Sequence, residues 1–313
     1  KNEIFYFQIT NLKMSFDKLY PDVKKHIISF IDLESLGKMS QVSKEMKDLI
    51  YDGTKDLRAE KYIESNMVTL NLRKIILDCC KIGRPMIVIK YHLIKNKCVD
   101  PSADDNFAIK WASRNGHLEI VKLLLSDPRV DPSAEDNYAI KCSSGYGRVD
   151  VVKLLLSDAR VDPSAEDNYA IQCASGYGHV DVVKLLLSDA RVDPGANNNY
   201  AIRWASRNGY SGVVKLLLND PRADPIANDN CAIRLASETG NVEVVKLLLT
   251  DPRVDPSTVD NYAIRWASRN GHSGVVKVLL NDPRVDPSAE DNYSFRWANY
   301  NGHTKVVKNP KIV

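Results

Sequence analysis

Four histidines, His117, His179, His272 and His303, fall in one register of a 31-residue period. Imidazoles in register could hold metal ions or relay protons. Elsewhere the same register holds Arg148, Tyr210 and Asn241, and a position that accepts a guanidinium is not a metal ligand. Local hydrogen bonding is the expected role. Six cysteines (Cys79, Cys80, Cys98, Cys142, Cys173, Cys231) show no Cys-x-x-Cys spacing and are too sparse for a disulfide framework. They read as small buried hydrophobes in a reducing compartment. Trp111, Trp204, Trp266 and Trp297 could stack nucleic-acid bases. They share a phase with Cys142, Cys173 and Leu235, and core-facing packing is expected of them.

Two ladders of charge run along the chain. Lys122, Lys153, Lys184, Lys215, Lys246, Lys277 and Lys308 form one; Arg129, Arg160, Arg191, Arg222, Arg253 and Arg284 form the other. A basic stripe can bind phosphates. Asp127, Asp158, Asp189, Asp220, Asp251 and Asp282 accompany the arginines, however, so a solvated face with ion pairs between neighbouring units is expected. No phosphate loop, Ser-His-Asp set or carboxylate pair stands out. No catalysis, metal or cofactor is expected.

These ladders exist because the chain repeats. Asp-Pro recurs at 100, 131, 162, 193, 224, 255 and 286, and glycine at 116, 147, 178, 209, 240, 271 and 302. Residues 131–161 and 162–192 differ only at Lys141/Gln172, Ser143/Ala174 and Arg148/His179, which points to recent duplication. In the first unit Asp105-Asn106 supplies capping oxygens before a helix over 107–113. Ala108, Trp111 and Ala112 share one face of it, with Ile109 beside them. Gly116 can end that helix in the left-handed conformation. Leu118 to Leu125 form a second helix, apolar over a broad face, stopped by Asp127-Pro128 before an extended finger. Such a unit is too small to stand alone, so the units must stack into a solenoid.

Composition agrees. The chain has 313 residues, 27% charged and 44% hydrophobic, with a net charge of +3. That gives no field for nucleic acid or anionic membrane. The positive excess lies in the first third, where residues 1–98 carry 18 Lys/Arg against 12 Asp/Glu. No apolar run approaches the roughly 18 residues that span a bilayer. Residues 1–13 precede Met14, lack a secretory layout, and read as a leader outside the fold.

Asn115-Gly116-His117-Leu118-Glu119-Ile120-Val121-Lys122-Leu123-Leu124-Leu125 resembles the second-helix signature of ankyrin repeats. Ala112-Ser113, Ala205-Ser206 and Ala267-Ser268 match the small pair before the glycine. The usual Thr-Pro-Leu-His opening is replaced by Tyr-Ala-Ile-Arg at 200–203 and 262–265, and the period of 31 implies a shortened finger. The Asp-Pro-Arg-Val-Asp-Pro wording resembles ankyrin arrays of giant DNA viruses of amoebae. The resemblance implies an all-α solenoid of seven repeats over 99–313, the last truncated, with a degenerate capping repeat over 63–98. It also implies a protein-binding groove lined by the residues before each glycine: Arg114, Asn115, Tyr146, Tyr177, Arg207, Asn208, Glu238, Thr239, Arg269 and Asn270. Tyr and Arg are hot-spot types. Tyr146 and Tyr177, flanked by Arg114 and Arg207, would suit an apolar anchor between two acidic residues.

Ahead of the repeats, Leu19-Tyr-Pro-Asp opens a helical module in which Ile27-Ile28-Ser29-Phe30-Ile31-Asp32 is followed by Leu36, Met39 and Val42-Ser43-Lys44. This stretch resembles an F-box, and the resemblance implies a small helical domain over 14–62. In that family the module docks on the Skp-type adaptor of cullin–RING ubiquitin ligases, here through Leu19, Pro21, Ile27, Ile31, Leu36 and Val42. The resulting expectation is a cytoplasmic, non-enzymatic adaptor that grips a protein target, with docking of its head on a ligase as the favoured reading. A scaffold or decoy without ligase docking is the alternative, with a nucleic-acid binder using the Lys ladder less favoured; no membrane partner is expected.

Overall fold

The seven register glycines all lie at positive φ, from 68° at Gly147 to 82° at Gly240. That conformation lets the chain leave one helix and enter the next within two or three residues. The computed structural model describes residues 100–309. The leader 1–13, the F-box-like head 14–62 with its six docking residues, the capping repeat 63–98 and residues 310–313 lie outside the described residues.

Seven helix pairs follow in order: α1 (Ala103–Asn115) and α2 (Leu118–Leu125), α3 (Ala134–Gly145) and α4 (Val149–Leu156), α5 (Ala165–Gly176) and α6 (Val180–Leu187), α7 (Ala196–Arg207) and α8 (Ser211–Leu218), α9 (Ala227–Glu238) and α10 (Val242–Leu248), α11 (Thr258–Arg269) and α12 (Ser273–Leu279), α13 (Ala289–Tyr300) and α14 (Thr304–Val307). First helices pack on first helices of the neighbouring units, and second helices on second. The described residues form two helical layers without a strand. None of their helices is long and apolar enough to cross a membrane.

The core between the layers is built from repeating side chains. Ile109, Ile140, Ile171, Ile202, Ile233 and Ile264 are fully buried, as are the leucines at 124, 155, 186, 217, 248 and 279. Each contributes about 1.5–3 kcal/mol by leaving water. The tryptophans do not join them. Trp111, Trp204, Trp266 and Trp297 are only half-buried, so the expected core-facing role is corrected. Ala108 and Ala112 are fully buried, while the Trp111 ring lies against Phe107 and Arg114.

The entry to each first helix also differs from expectation. Its second to fourth residues are left-handed, as at Glu135 (φ 51°), Asp136 (φ 52°) and Asn137 (φ 62°), and the continuous right-handed helix starts only afterwards. The Asn137 N–H donates to Ser133 O at 2.7 Å, closing the turn. Left-handed residues cost about 1–2 kcal/mol each, least for Asn and Asp. Instead of capping its own helix, the Asn106 side-chain oxygen accepts from the Asp131 N–H of the next unit at 2.7 Å. Side chains further along hold the turn's carbonyls: Arg203 Nε donates to Asn198 O and Arg234 Nε to Asp229 O, both at 2.9 Å.

The finger is a pair of tight turns rather than an extended segment. Arg160 lies on Asp158 of its own finger at 2.6 Å, while its Nη1 donates to Val130 O of the preceding finger at 2.7 Å. The ion pairs expected between units are therefore internal, and a carbonyl makes the link across. A two-residue spacing lets the carboxylate also accept from the Arg160 backbone N–H, at 3.0 Å. In the next turn Asp162 Oδ1 accepts from Ser164 N and Oγ.

Candidate functional site

The C-terminal ends of the first helices leave carbonyls without helical partners, and the next unit supplies donors. His179 Nε2 donates to Gly145 O at 2.9 Å, His272 Nε2 to Glu238 O at 3.0 Å and His303 Nε2 to Arg269 O at 2.9 Å. Arg148 Nε does the same for Arg114 O at 3.1 Å, and Asn241 Nδ2 for Arg207 O at 2.7 Å. The histidine register is thus hydrogen-bonding as expected, but between repeats rather than locally. Donation to a carbonyl is a role that Arg, Asn and His share, which explains the exchange of residue types. Among the described residues no group of three His, Cys, Asp or Glu side chains is placed to hold a metal ion.

The residue before each glycine makes the same link in several units. Asn208 Nδ2 donates to Gly176 O at 2.8 Å, Thr239 Oγ1 to Arg207 O at 2.9 Å and Asn270 Nδ2 to Glu238 O at 2.9 Å. Glu238 itself accepts from the Tyr262 hydroxyl at 2.9 Å. These three donor side chains clamp the stack, and Asn115 occupies the same register. Tyr146 and Tyr177 stand there in the second and third units and project instead, 47% and 64% exposed.

One position earlier, arginines lie across tryptophans. Arg114 is 4.6 Å from the Trp111 ring centre and 4.8 Å from that of Tyr146, and its Nη2 donates to the Tyr146 hydroxyl at 2.6 Å. Arg207 lies 5.0 Å from Trp204. Arg269 is held between Trp266 and Trp297, at 4.4 and 4.9 Å. Helical spacing of three residues sets each guanidinium over the indole of the preceding turn. Arg114 and Arg207, expected to flank the tyrosines, each lie across an indole, and Arg114 also bonds the Tyr146 hydroxyl.

The second and third units have neither Trp nor Arg at these positions. Cys142 and Gly145 replace them in one, Cys173 and Gly176 in the other. The result is an open hollow of about 890 Å³ walled by Tyr138, Tyr146, Tyr169 and Tyr177, with Cys142 and Cys173 at its floor and Glu135, Asp136 and Glu166 at its rim. Both cysteines are half-buried rather than core residues. Burial pushes the Cys173 thiol up, so it stays protonated at neutral pH. The Tyr169 hydroxyl hydrogen-bonds that sulfur, and its own ionisation is pushed up to about 12. Neither group is a ready nucleophile. The hollow was missed in the sequence because each register was read alone; the joint exchange of Trp for Cys and Arg for Gly in the same two units was the signal.

On the outer face all the lysines of the ladder are exposed. Lys122 and Lys246 pair with Glu119 and Glu243 one turn earlier, at 2.7 and 2.6 Å. These contacts leave the row solvated and give it no concave seat.

Comparison with known families agrees with this architecture. The model for ankyrin repeats (3 copies) matches residues 76–167, 137–229 and 204–291. The model for the F-box domain matches residues 16–54. A search of curated proteins finds no match.

Proposed function

Because the chain belongs to the ankyrin-repeat family and carries an F-box domain ahead of the repeats, we propose that it is an adaptor that brings a protein target to a cullin–RING ubiquitin ligase. The repeats grip the target along the exposed ends of the first helices; the head engages the ligase's Skp-type adaptor. The observation that carries this reading is the pairing of two interaction domains in one chain, one with a varied, partly unfilled surface at Tyr146 and Tyr177. It acts by binding and positioning, without chemistry of its own. The Asp-Pro-Arg-Val-Asp-Pro resemblance supports a host-cell cytoplasm as the place of action.

The test is capture of the Skp-type adaptor by the full chain and by a variant carrying Ile27→Asp and Ile31→Asp. A carboxylate forced into an apolar docking face costs several kcal/mol, so capture should fall by at least two orders of magnitude. Undiminished capture by the variant, or none by the parent, would leave a binding scaffold without a ligase.

A further inference from the structure

The hollow over the second and third repeats has a shape that the rest of the array explains. In the first, fourth and sixth units the same surface is filled from within: Arg114 lies on Trp111 and Tyr146, Arg207 on Trp204, and Arg269 between two indoles, whereas the fifth unit has Leu235 and Glu238 there. At Gly145 and Gly176 the guanidinium is missing while aromatic walls remain, supplied by Tyr138, Tyr169 and Tyr177, with Tyr146 already shared with Arg114.

Backbone geometry does not account for these two glycines. Neither lies at positive φ, unlike the seven that end the first helices. A methyl group at Gly176 would meet only the Trp204 Cβ, at an ordinary 4.0 Å. Glycine at a helical position is less favourable than alanine by about a factor of five in the local equilibrium, and nothing in the packing at Gly176 requires it. At Gly145 a methyl group would press on the Cys173 Cβ at 3.3 Å, so close packing has a part there, while Gly176 does no more than leave space.

The charge around that space is complementary to the missing group. Glu135, Asp136 and Glu166 face one lysine, Lys141, which is itself paired with Glu166 at 2.6 Å. Glu135 is paired with Lys110 from the preceding unit. With Glu135 and Glu166 paired in this way and His179 committed to the Gly145 carbonyl, Asp136 carries the excess negative charge of the lining. Tyrosine faces with carboxylates at the edge attract a planar cation, and a guanidinium gains more from stacking than an ammonium.

We propose that the hollow is the seat for an arginine of the target protein, which completes from outside the aromatic–guanidinium stack that the first, fourth and sixth repeats complete from within. This deepens the adaptor reading by naming the chemistry of the target segment: an exposed, arginine-bearing stretch with few acidic residues.

The probe is a fluorescein-labelled peptide, Gly-Ser-Arg-Gly-Arg-Ser-Gly, titrated with the full chain and followed by anisotropy. Its counterparts carry citrulline or glutamate in place of arginine. The arginine peptide should bind at least tenfold tighter than the citrulline peptide, which has the same shape without the charge. Gly145→Arg with Gly176→Arg fills the hollow from within and should weaken binding tenfold or more, whereas Ser157→Arg on the exposed end of α4 should not. If the filled variant does not fold, Tyr146→Ala with Tyr177→Ala serves, with the same tenfold loss expected. Equal binding of arginine and citrulline peptides, preference for the glutamate peptide, or full binding by a folded filled variant would overturn the assignment. Adaptor capture through the head is read separately on the same proteins: its loss in the parent counts against the ligase reading alone, and loss of peptide discrimination counts against the hollow alone.

Discussion

The side-chain oxygen of Asn168 accepts a hydrogen bond of 2.7 Å from the backbone N–H of Asp193, the first residue of the next repeat. The same bond recurs from Asn106, Asn137, Asn199, Asn230 and Asn261 to the aspartates at 131, 162, 224, 255 and 286, all between 2.6 and 2.8 Å. Each of these asparagines is the last left-handed residue before the right-handed helix. One residue type thus serves two needs, since Asn tolerates that conformation and also reaches the next unit.

Asn168→Ala removes both the bond and the conformational tolerance. The bond is only partly buried, so its loss should cost about 1 kcal/mol, and the urea midpoint should fall accordingly. Asn168→Gly keeps the left-handed turn and loses only the bond, so its loss should be smaller. Equal midpoints for the parent and the alanine variant would show that the contact contributes nothing to stacking.

Val259 stands at φ 54° in the left-handed turn before α11 and is 43% exposed. Other units place Glu135, Asn197 or Asn228 at this point. A β-branched residue is poorly suited to that region, with strain of order 1–3 kcal/mol. Val259→Asn should therefore raise stability by about 1 kcal/mol, seen as a higher urea midpoint. A fall would mean that the valine's contacts outweigh its backbone strain.

Ser113, Ser144, Ser175, Ser206, Ser237 and Ser268 share one buried register, and none of their hydroxyls has a hydrogen-bond partner. A desolvated hydroxyl without a partner destabilises by about 1–3 kcal/mol. Ser175→Ala should raise the melting temperature, and Ser144→Ala, Ser175→Ala and Ser206→Ala together should raise it more. A lower melting temperature for Ser175→Ala would reveal a bond formed in solution.

The helix pairs, the glycine turn and the isoleucine core were legible in the sequence because a constant period sets the phase of Gly116 and a 3.6-residue rhythm sets that of Ile109. Two features were not. Glu135-Asp136-Asn137 has the composition of an ordinary helix cap, and a left-handed turn leaves the same polar residues at the same place. Trp111 shares a stripe with Ala108 and Ala112, so spacing alone points it to the core; its place against the Arg114 guanidinium depends on side-chain packing that spacing does not encode. The hollow depends on side chains from two units at once, and no single register contains it.

The finger carboxylates set the response to acid. Hydrogen bonds from Arg160, Arg191, Arg222, Arg253 and Arg284 hold Asp158, Asp189, Asp220, Asp251 and Asp282 below the ordinary carboxylate value of 3.8. A carboxyl that ionises more readily when folded adds stability above its unfolded value, and that stability disappears as pH falls through the folded one. The pairs therefore contribute fully at neutral pH and fail together below about pH 4. The urea midpoint should be insensitive to these groups between pH 7 and pH 5 and fall steeply below pH 4. Asp189→Asn should lower the midpoint at pH 7 and flatten part of that acid slope, because Arg191 would lose its carboxylate while keeping the Val161 carbonyl, 2.8 Å from Nη1. An acid slope identical in parent and variant would assign the pH response to other carboxylates.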